Sequence, residues 1–417
     1  MKISILTAFP GMIKNYLETS ILGKGIAKGI FDVEVIDIRD FAQGNYKQID
    51  DYCYGKGGMI LMPEPLKKAL EHLSRETKPY VVYPSPQGIT LHQEIVEDLA
   101  RKENIAIFCG HYEGVDERFT EKYVDLEVSL GDFVLTGGEM PAMALVDAIS
   151  RLIPGVVGKT EAVQEDSFYN GMLDYPNYTR PAVWDDEEVP EILLSGNDKI
   201  IKEWRRRQSV ERTLKRRPDI VGRAGIMPYL NYGAYVIEIY NSADDPKTYN
   251  SISEVFKLNL VDTATACKAY GIEKYILIAP DAQQRETIKQ TISLLSEEAE
   301  CKDRPDLKEA LNNVKLFGST QKALAWIEKR EKTDLHKVVV TTKDCKKAVN
   351  WLSLKREILL KNYCTVFIFG RECELHSKII DSVNTVLTPI SGVKDNLNHL
   401  SVRSTISITL DRFFGQR

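Results

Sequence analysis

The chain has 417 residues, 43% of them apolar and 28% charged, and a formal net charge of −5. Its length exceeds one ordinary hydrophobic core and implies two or three domains, while the slight acidity excludes nucleic-acid binding through overall charge and leaves that role to local patches. Seven cysteines without a C-x-x-C pair exclude the usual zinc and disulfide frameworks and fit reduced thiols in a cytoplasmic protein.

The opening MKISILTAFPGM reads as a strand, Lys2–Phe9, stopped by Pro10; its apolar run is too short for a signal peptide. No stretch reaches the length of a membrane span. A helix is expected over 11–29, a strand at Val33–Ile38, and a glycine-rich loop over 44–62. Pro65–Arg75 reads as helix, Tyr80–Pro84 as strand, Gln93–Lys102 as helix and Ile105–Cys109 as strand. Residues 125–147, DLEVSLGDFVLTGGEMPAMALVD, read as strand, glycine-rich turn and helix. Alternation of this kind predicts a mostly parallel sheet covered by helices. Turn residues mark 155–182 as a linker or long loop. The acidic run DDEEVPE at 185–191 reads as the start of a helix, and a basic helical segment follows to 217.

Arg217-Pro218 ends that pattern, and 218–232 reads as a second linker with few core positions. A fresh series of strands follows at Tyr235–Ile239, Tyr275–Ala279, Lys337–Thr341, Thr365–Phe369 and Thr385–Pro389, with helices between them and at 401–414. The two α/β halves share a layout near their ends. IAIFCG leads to His111, Tyr112 and Glu113 in the first, and TVFIFG leads to Arg371 and Glu372 in the second. Each half closes with a loop and a helix.

The usual nucleotide fingerprint is missing, because Pro10-Gly11 rather than G-x-G-x-x-G follows the first strand. Candidate ligand loops come later: SPQG at 85–88, GHYEG at 110–114 and LGDFVLTGG at 130–138. Each alone is a weak signal, since a glycine pair is more often a turn. Three strand ends feeding one cleft are what an α/β binding site requires, and glycine lets backbone groups approach a flat ligand closely.

Residues 125–147 resemble the methyl-donor loop of the bacterial tRNA (guanine-37 N1)-methyltransferases, which belong to the knotted SPOUT methyltransferases. The resemblance extends over residues 1 to about 217 through SILGKGIAKG, IDDYCYGKGGM, SRLIPGV, EDSF and LDYPNYTRP, in family order. It implies S-adenosylmethionine bent in a trefoil-knotted cleft, held largely through backbone groups at Gly110 and Leu130, Gly131, Asp132, Phe133, Val134 and Leu135. Tyr83, Pro86, Glu113, Gly137, Gly138 and Pro141 would line the same cleft. His111 stands where many relatives carry Arg. The resemblance also implies Mg²⁺, loosely held because no metal-ligand spacing is present, and a homodimer in which the partner subunit completes the cleft.

Methylation at guanine N1 requires loss of the N1 proton, for which a carboxylate is the natural base. Charge then develops on O6 and calls for a cation or polar donor. Spacing alone reads Asp166 as a loop or capping acid and Arg151 as a cation at a helix C-terminus. The resemblance assigns them as base and as partner and stabiliser; Asp174, a second carboxylate in the linker, is read in a supporting role.

Residues 199–217 carry nine Lys or Arg against two Glu, a local charge of +7. That excess suits phosphate contacts, which give affinity without reading sequence, and Arg205, Arg206 and Arg207 stand at its centre. The resemblance makes this the small helical tRNA-binding domain, entered through Tyr178, Thr179 and Arg180. Trp204 reads as its core anchor. NHLSVRSTISITLDRFFG at 398–415 resembles the closing helix of many SPOUT RNA methyltransferases, which places a second cofactor cleft at Gly370, Leu387, Ile390 and Leu400.

The resulting expectation is an α/β chain with two trefoil-knotted SPOUT domains and a small helical domain between them. The divisions are 1–160, a linker at 161–178, the helical domain at 179–217, a linker at 218–228, and a second methyltransferase-like domain at 229–417. The function expected is methyl transfer from S-adenosylmethionine to N1 of guanosine 37 in tRNA, on a flipped or unstacked base. The alternatives are an RNA-binding module without catalysis, a small-molecule transferase, and a C-terminal half that serves only as a scaffold.

Overall fold

The computed structural model describes residues 1–417 apart from 56, 76, 159–165, 241–253, 302, 342–347, 371–376, 391–399 and 416–417. Within it the chain forms two compact units, Met1–Tyr169 and Asn170–Arg417.

The first unit is built on apolar strands too short to bury themselves. β1 (Lys2–Thr7), β2 (Asp32–Asp37), β5 (Tyr80–Thr90), β6 (Asn104–Phe108) and β7 (Leu126–Ser129) form a parallel sheet in the order β2-β1-β6-β5-β7. The central strands are buried, with Ile3, Ile5, Val82, Ile105 and Ile107 at 0% exposure, as a sheet covered on both faces requires. Helices α1 (Pro10–Leu17), α2 (Ser20–Ala27), α3 (Pro63–Leu73), α4 (Gln93–Ala100), α5 (Glu117–Tyr123) and α6 (Glu139–Arg151) accompany it.

Three expectations need correction here. The helix over 11–29 is two helices, α1 and α2. Thr19 is extended and Ser20 has φ +55°, so the chain turns back and Gly23 rests against the Glu18 carbonyl, where a Cβ would lie at 2.4 Å. The loop over 44–62 contains a short antiparallel hairpin, β3 (Asp50–Tyr52) with β4 (Met59–Leu61). β5 runs on past Pro84 to Thr90, with its register against β7 broken between Pro84 and Ile89. That break frees SPQG from the ladder as a bulge would, and Gly88 crosses within 2.4 Å, at Cβ, of the β7 backbone.

The second unit begins with another correction. The acidic run is no helix start but the turn of a hairpin, β8 (Val183–Trp184) with β9 (Glu187–Glu188). Asp185 and Asp186 occupy its corner at φ +53° and +62°, which aspartate tolerates and a two-residue hairpin turn demands. Helices α7 (Glu191–Leu194) and α8 (Asp198–Arg216) follow, the latter capped by Asn197. Residues 218–232 are not a loose linker. Val221, Ala224 and Ile226 are at most 1% exposed and share one core with Met172, Val210 of α8, and the strands and helices beyond.

The remainder is a parallel sheet of β10 (Ala234–Ile239), β11 (Lys274–Ile278), β12 (Val314–Phe317), β13 (Leu335–Val340), β14 (Ala348–Val349), β15 (Cys364–Phe369) and β16 (Thr385–Leu387), in the order β12-β11-β10-β15-β13-β16-β14. β12 and β14 are edge strands that the sequence does not announce. Helices α9 (Glu254–Ala269), α10 (Ala282–Cys301), α11 (Pro305–Asn312), α12 (Thr320–Glu331), α13 (Trp351–Lys361), α14 (Ser377–Asp381) and α15 (Val402–Phe414) surround it. Without its edges the order is β11-β10-β15-β13-β16, which repeats β2-β1-β6-β5-β7 strand for strand. The likeness expected only near the ends of the two halves extends to both whole sheets. Among the described residues no helix is long and apolar enough to cross a membrane.

Candidate active site

The carboxyl ends of β5, β6 and β7 open into one cleft of about 350 Å³. The three loops singled out in the sequence form its walls. Of the residues expected there, Tyr83, Pro86, Gly110, Glu113, Leu130, Phe133, Val134, Leu135, Gly137, Gly138 and Pro141 line it. Gly131 and Asp132 do not; Gly131, at φ +154°, instead shapes the loop, its carbonyl accepting from the Ser129 hydroxyl. Gln87 of SPQG joins the lining, as do Thr120 and Glu127, and only the fold brings the last two to this place.

The floor is backbone brought close by glycine. A Cβ on Gly138 would lie 2.7 Å from the Cys109 Cα and the Gly110 nitrogen, and one on Gly110 would lie 2.8 Å from the Tyr83 hydroxyl. The Gly138 N–H donates to the Gly110 carbonyl at 2.8 Å. Tyr83 stacks on Phe108 at 4.5 Å. Burial, with Glu127 and Glu117 adding to it, pushes its phenol up to about 12, so it remains a neutral donor across the working pH range. Burial also drives the Cys109 thiol well above its ordinary range, leaving it inert as a nucleophile.

One feature of the cleft escaped the sequence reading. Glu139, 2% exposed at the start of α6, accepts from the Thr7 hydroxyl at 2.6 Å and pairs with His111 Nε2 at 2.7 Å. Gly137 is wedged between them, since a Cβ there would lie 2.4 Å from the imidazole. The signal was an acid directly after Gly137-Gly138, at a helix start that favours negative charge.

Arg151 ends α6, and its Nε and Nη2 both reach Asp166 Oδ2, at 2.7 and 2.5 Å. The structure thus brings together the expected base and its partner. Glu165 of EDSF lies outside the described residues. The pair stands half exposed, where such a contact adds only about 0–1 kcal/mol to stability. Neither residue lines the cleft. Twelve steps of helix at a rise of about 1.5 Å put Arg151 roughly 18 Å from the glycine pair at the other end of α6.

In the second unit, the basic helix is less open than its composition implies. Arg205 packs over the Tyr175 ring at 4.6 Å, with its Nε buried and unpartnered. Arg206 pairs with Glu203, and Arg207 with Glu211. Lys199, Lys202, Lys215 and Arg216 are exposed, as are Arg207 and Arg217, the last paired with Asp219. Trp204 packs near Tyr178 at 6.4 Å. Asp174 accepts from the Tyr175 nitrogen and from Asn177 Nδ2. Gly370 follows β15, and Leu387 ends β16 with its side chain in the core at 2% exposure. Ile390 is half-buried and Leu400 is 38% exposed, just before α15. The loops that would join these four, including Arg371 and Glu372, lie outside the described residues. Among the described residues no group of three His, Cys, Asp or Glu could hold a metal ion.

Residues 1–223 match the family profile described as tRNA (Guanine-1)-methyltransferase TrmD, and residues 235–415 match that of a SAM-dependent RNA methyltransferase. A tRNA (guanine-N(1)-)-methyltransferase of Endomicrobium trichonymphae is 50% identical over 232 residues, 53% of this chain and 99% of the relative. One from Fusobacterium nucleatum subsp. nucleatum is 52% identical over 222 residues, covering 53% and 91%. The relative from Chlamydia pneumoniae is similar over a longer stretch, 282 residues at 43% identity, covering 66% and 75%. The crystal structure of tRNA (m1G37) methyltransferase from Aquifex aeolicus is 42% identical, covers 52% of this chain and 94% of that one, and aligns with a TM-score of 0.45. With its glycine-floored cleft, its Arg151–Asp166 pair and more than half its length matched by one profile, the chain belongs to the tRNA (guanine-1)-methyltransferase family.

Proposed function

We propose that the chain transfers a methyl group from S-adenosylmethionine to N1 of guanosine at position 37 of tRNA, as a cytoplasmic homodimer. The cofactor, when bound, supplies an electrophilic methyl group. Gly110, Gly137 and Gly138 let the cleft's segments close on one another, since a Cβ on any of them would meet protein atoms at 2.4–2.8 Å, and the bare backbone they leave suits the face of a flat purine. Backbone N–H and C=O groups there, with the neutral Tyr83 phenol, satisfy its polar edge. Asp166 takes the N1 proton of the guanine. Arg151 holds the Asp166 carboxylate in place and offsets the charge that grows on O6. Among the described residues no group of three His, Cys, Asp or Glu fits Mg²⁺.

The distance along α6 carries the dimer. A base held by Arg151, itself roughly 18 Å from the glycine pair, lies far from the cleft of its own chain. A second copy related by a two-fold axis would bring its own Arg151 and Asp166 to the first copy's cleft. Residues 179–217 would dock the tRNA, and the trefoil knot of the family would form the cleft.

The test is subunit mixing. Gly138→Val disrupts the cleft, because its Cβ would meet the Cys109–Gly110 backbone at 2.7 Å and displace the loop, and Asp166→Asn removes the base. Each variant alone should be inactive. Random mixing should restore about a quarter of wild-type activity, since half of the dimers then hold one intact composite site. No recovery, with mixed dimers present, would place base and cleft in one chain.

The second unit is proposed to be a further S-adenosylmethionine-dependent RNA methyltransferase, with Gly370, Leu387, Ile390 and Leu400 at its cofactor cleft. Its strand order, shared with the first sheet, supports this.

A further inference from the structure

The hairpin β3–β4 is bonded to one wall of the cleft. The Glu113 N–H donates to the Met59 carbonyl at 3.0 Å, the Leu61 N–H to the Gly114 carbonyl at 2.9 Å, and the Asp116 N–H to the Leu61 carbonyl at 3.1 Å. Gly58 packs so tightly that a Cβ would lie 2.8 Å from the Glu113 side chain, and Glu113 lines the cleft. On this anchored backbone Tyr52 is 77% exposed and Tyr54 100%. Large aromatic side chains are ordinarily buried on much of their surface, and neither the packing nor the chemistry above uses these two.

Their surroundings narrow what they could meet. Asp50 and Asp51 precede Tyr52, and Asp51 Oδ1 accepts from the Tyr52 N–H at 2.8 Å. Asp116 locks Arg118 in a fork at 2.9 and 2.7 Å, within electrostatic reach of Tyr54. A strand led by two acids repels phosphate. What it offers is aromatic faces, and these suit nucleobases of an unpaired strand without regard to sequence.

We propose that Tyr52 and Tyr54 are stacking platforms for the unpaired nucleotides that flank the target guanosine, holding the RNA loop open while the target base occupies the cleft. This rests on the tRNA reading above. The platforms would act by stacking and not by charge.

The test uses the full chain and an anticodon stem-loop RNA with 2-aminopurine in place of the nucleotide next to the target guanosine. Stacking on tyrosine quenches its fluorescence. Tyr52→Leu and Tyr54→Leu should each weaken RNA binding about tenfold and abolish their share of the quench. Affinity for S-adenosylmethionine, the melting temperature and the slope of log affinity against log salt should stay unchanged. The Phe variants should behave as wild type. Leu variants that bind and quench like wild type overturn the proposal. So does a reduced salt slope, which would indicate phosphate contact, or Phe variants that fail like Leu, which would indicate a hydroxyl contact. A wild-type chain that does not bind the RNA at all overturns the tRNA reading first, and this proposal with it.

Discussion

Asp166 shows how little of a residue's role lies in its own surroundings. It is a half-exposed acid paired to a half-exposed arginine, an arrangement that proteins carry by the dozen without consequence. Its meaning comes from chemistry that needs a base, and from the family pattern in which it stands. On the proposal that Asp166 is the base, Asp166→Asn keeps the shape and removes the basic carboxylate that would take the proton. Single-turnover methylation should fall by about 10²–10⁴-fold, while calorimetric affinity for S-adenosylmethionine stays at the wild-type value. Near-normal turnover in that variant would remove Asp166 from the mechanism.

Tyr83 makes a prediction of a different kind. Its folded-state phenol is raised from an ordinary value of 10.0 to about 12, chiefly by burial. A raised value means that the fold favours the protonated form. The associated stability is therefore complete below about pH 10 and is lost as pH rises toward 12. Denaturant titrations over that window should show stability falling. Tyr83→Phe should flatten the fall by about 3 kcal/mol and weaken S-adenosylmethionine binding, while the pH at which methylation peaks stays the same.

At the scale of elements, α8 separates charge that is present from charge that is available. Nine cations in 199–217 read as a phosphate-binding face. The helix spends Arg206 and Arg207 on its own Glu203 and Glu211, and lays Arg205 on Tyr175. Phosphate contacts should come from the exposed Lys202, Lys215 and Arg216 instead. Reversing each to Glu should weaken tRNA binding and lower the salt slope by about one unit per lost contact. The same reversal at Arg206 should mainly disturb folding, through Glu203 and its bond to Asn231. Filter binding across a salt series distinguishes these outcomes, and an unaltered slope in the lysine variants would make this face merely solvated.

The whole molecule carries one strand order twice, and this has a consequence for ligand number. The first cleft lies at the carboxyl ends of β5, β6 and β7, and the corresponding ends in the second sheet belong to β13, β15 and β16. Ligands of open α/β sheets gather at such ends. Equilibrium dialysis of the full chain should find two S-adenosylmethionine molecules per chain, falling to one in Gly138→Val. A count of one in wild type and none in the variant would make the second unit a scaffold. Because Val221, Ala224 and Ile226 join one core with α8 and the second sheet, the intact chain is the right material for that experiment.

The sequence by itself determined the five central strands of each half and the three glycine loops, and the resemblance it carries pointed to Arg151 and Asp166. Apolar runs bounded by glycine and proline leave a buried parallel strand little freedom, and short motifs are local. It misjudged what depends on contacts distant in the chain. DDEEVPE turned into a hairpin because two aspartates tolerate positive φ. The 218–232 stretch became core because its three small and branched apolar residues found a partner surface that no local pattern reveals. The broken helix over 11–29 needed Gly23 against Glu18. Tertiary structure alone decided that Gly131 and Asp132 stay out of the cleft, that Glu139 holds His111, and that the Arg151–Asp166 pair stands one helix length from the glycine pair. Each of these follows from where a side chain meets a neighbour from another segment, and such meetings are fixed by packing.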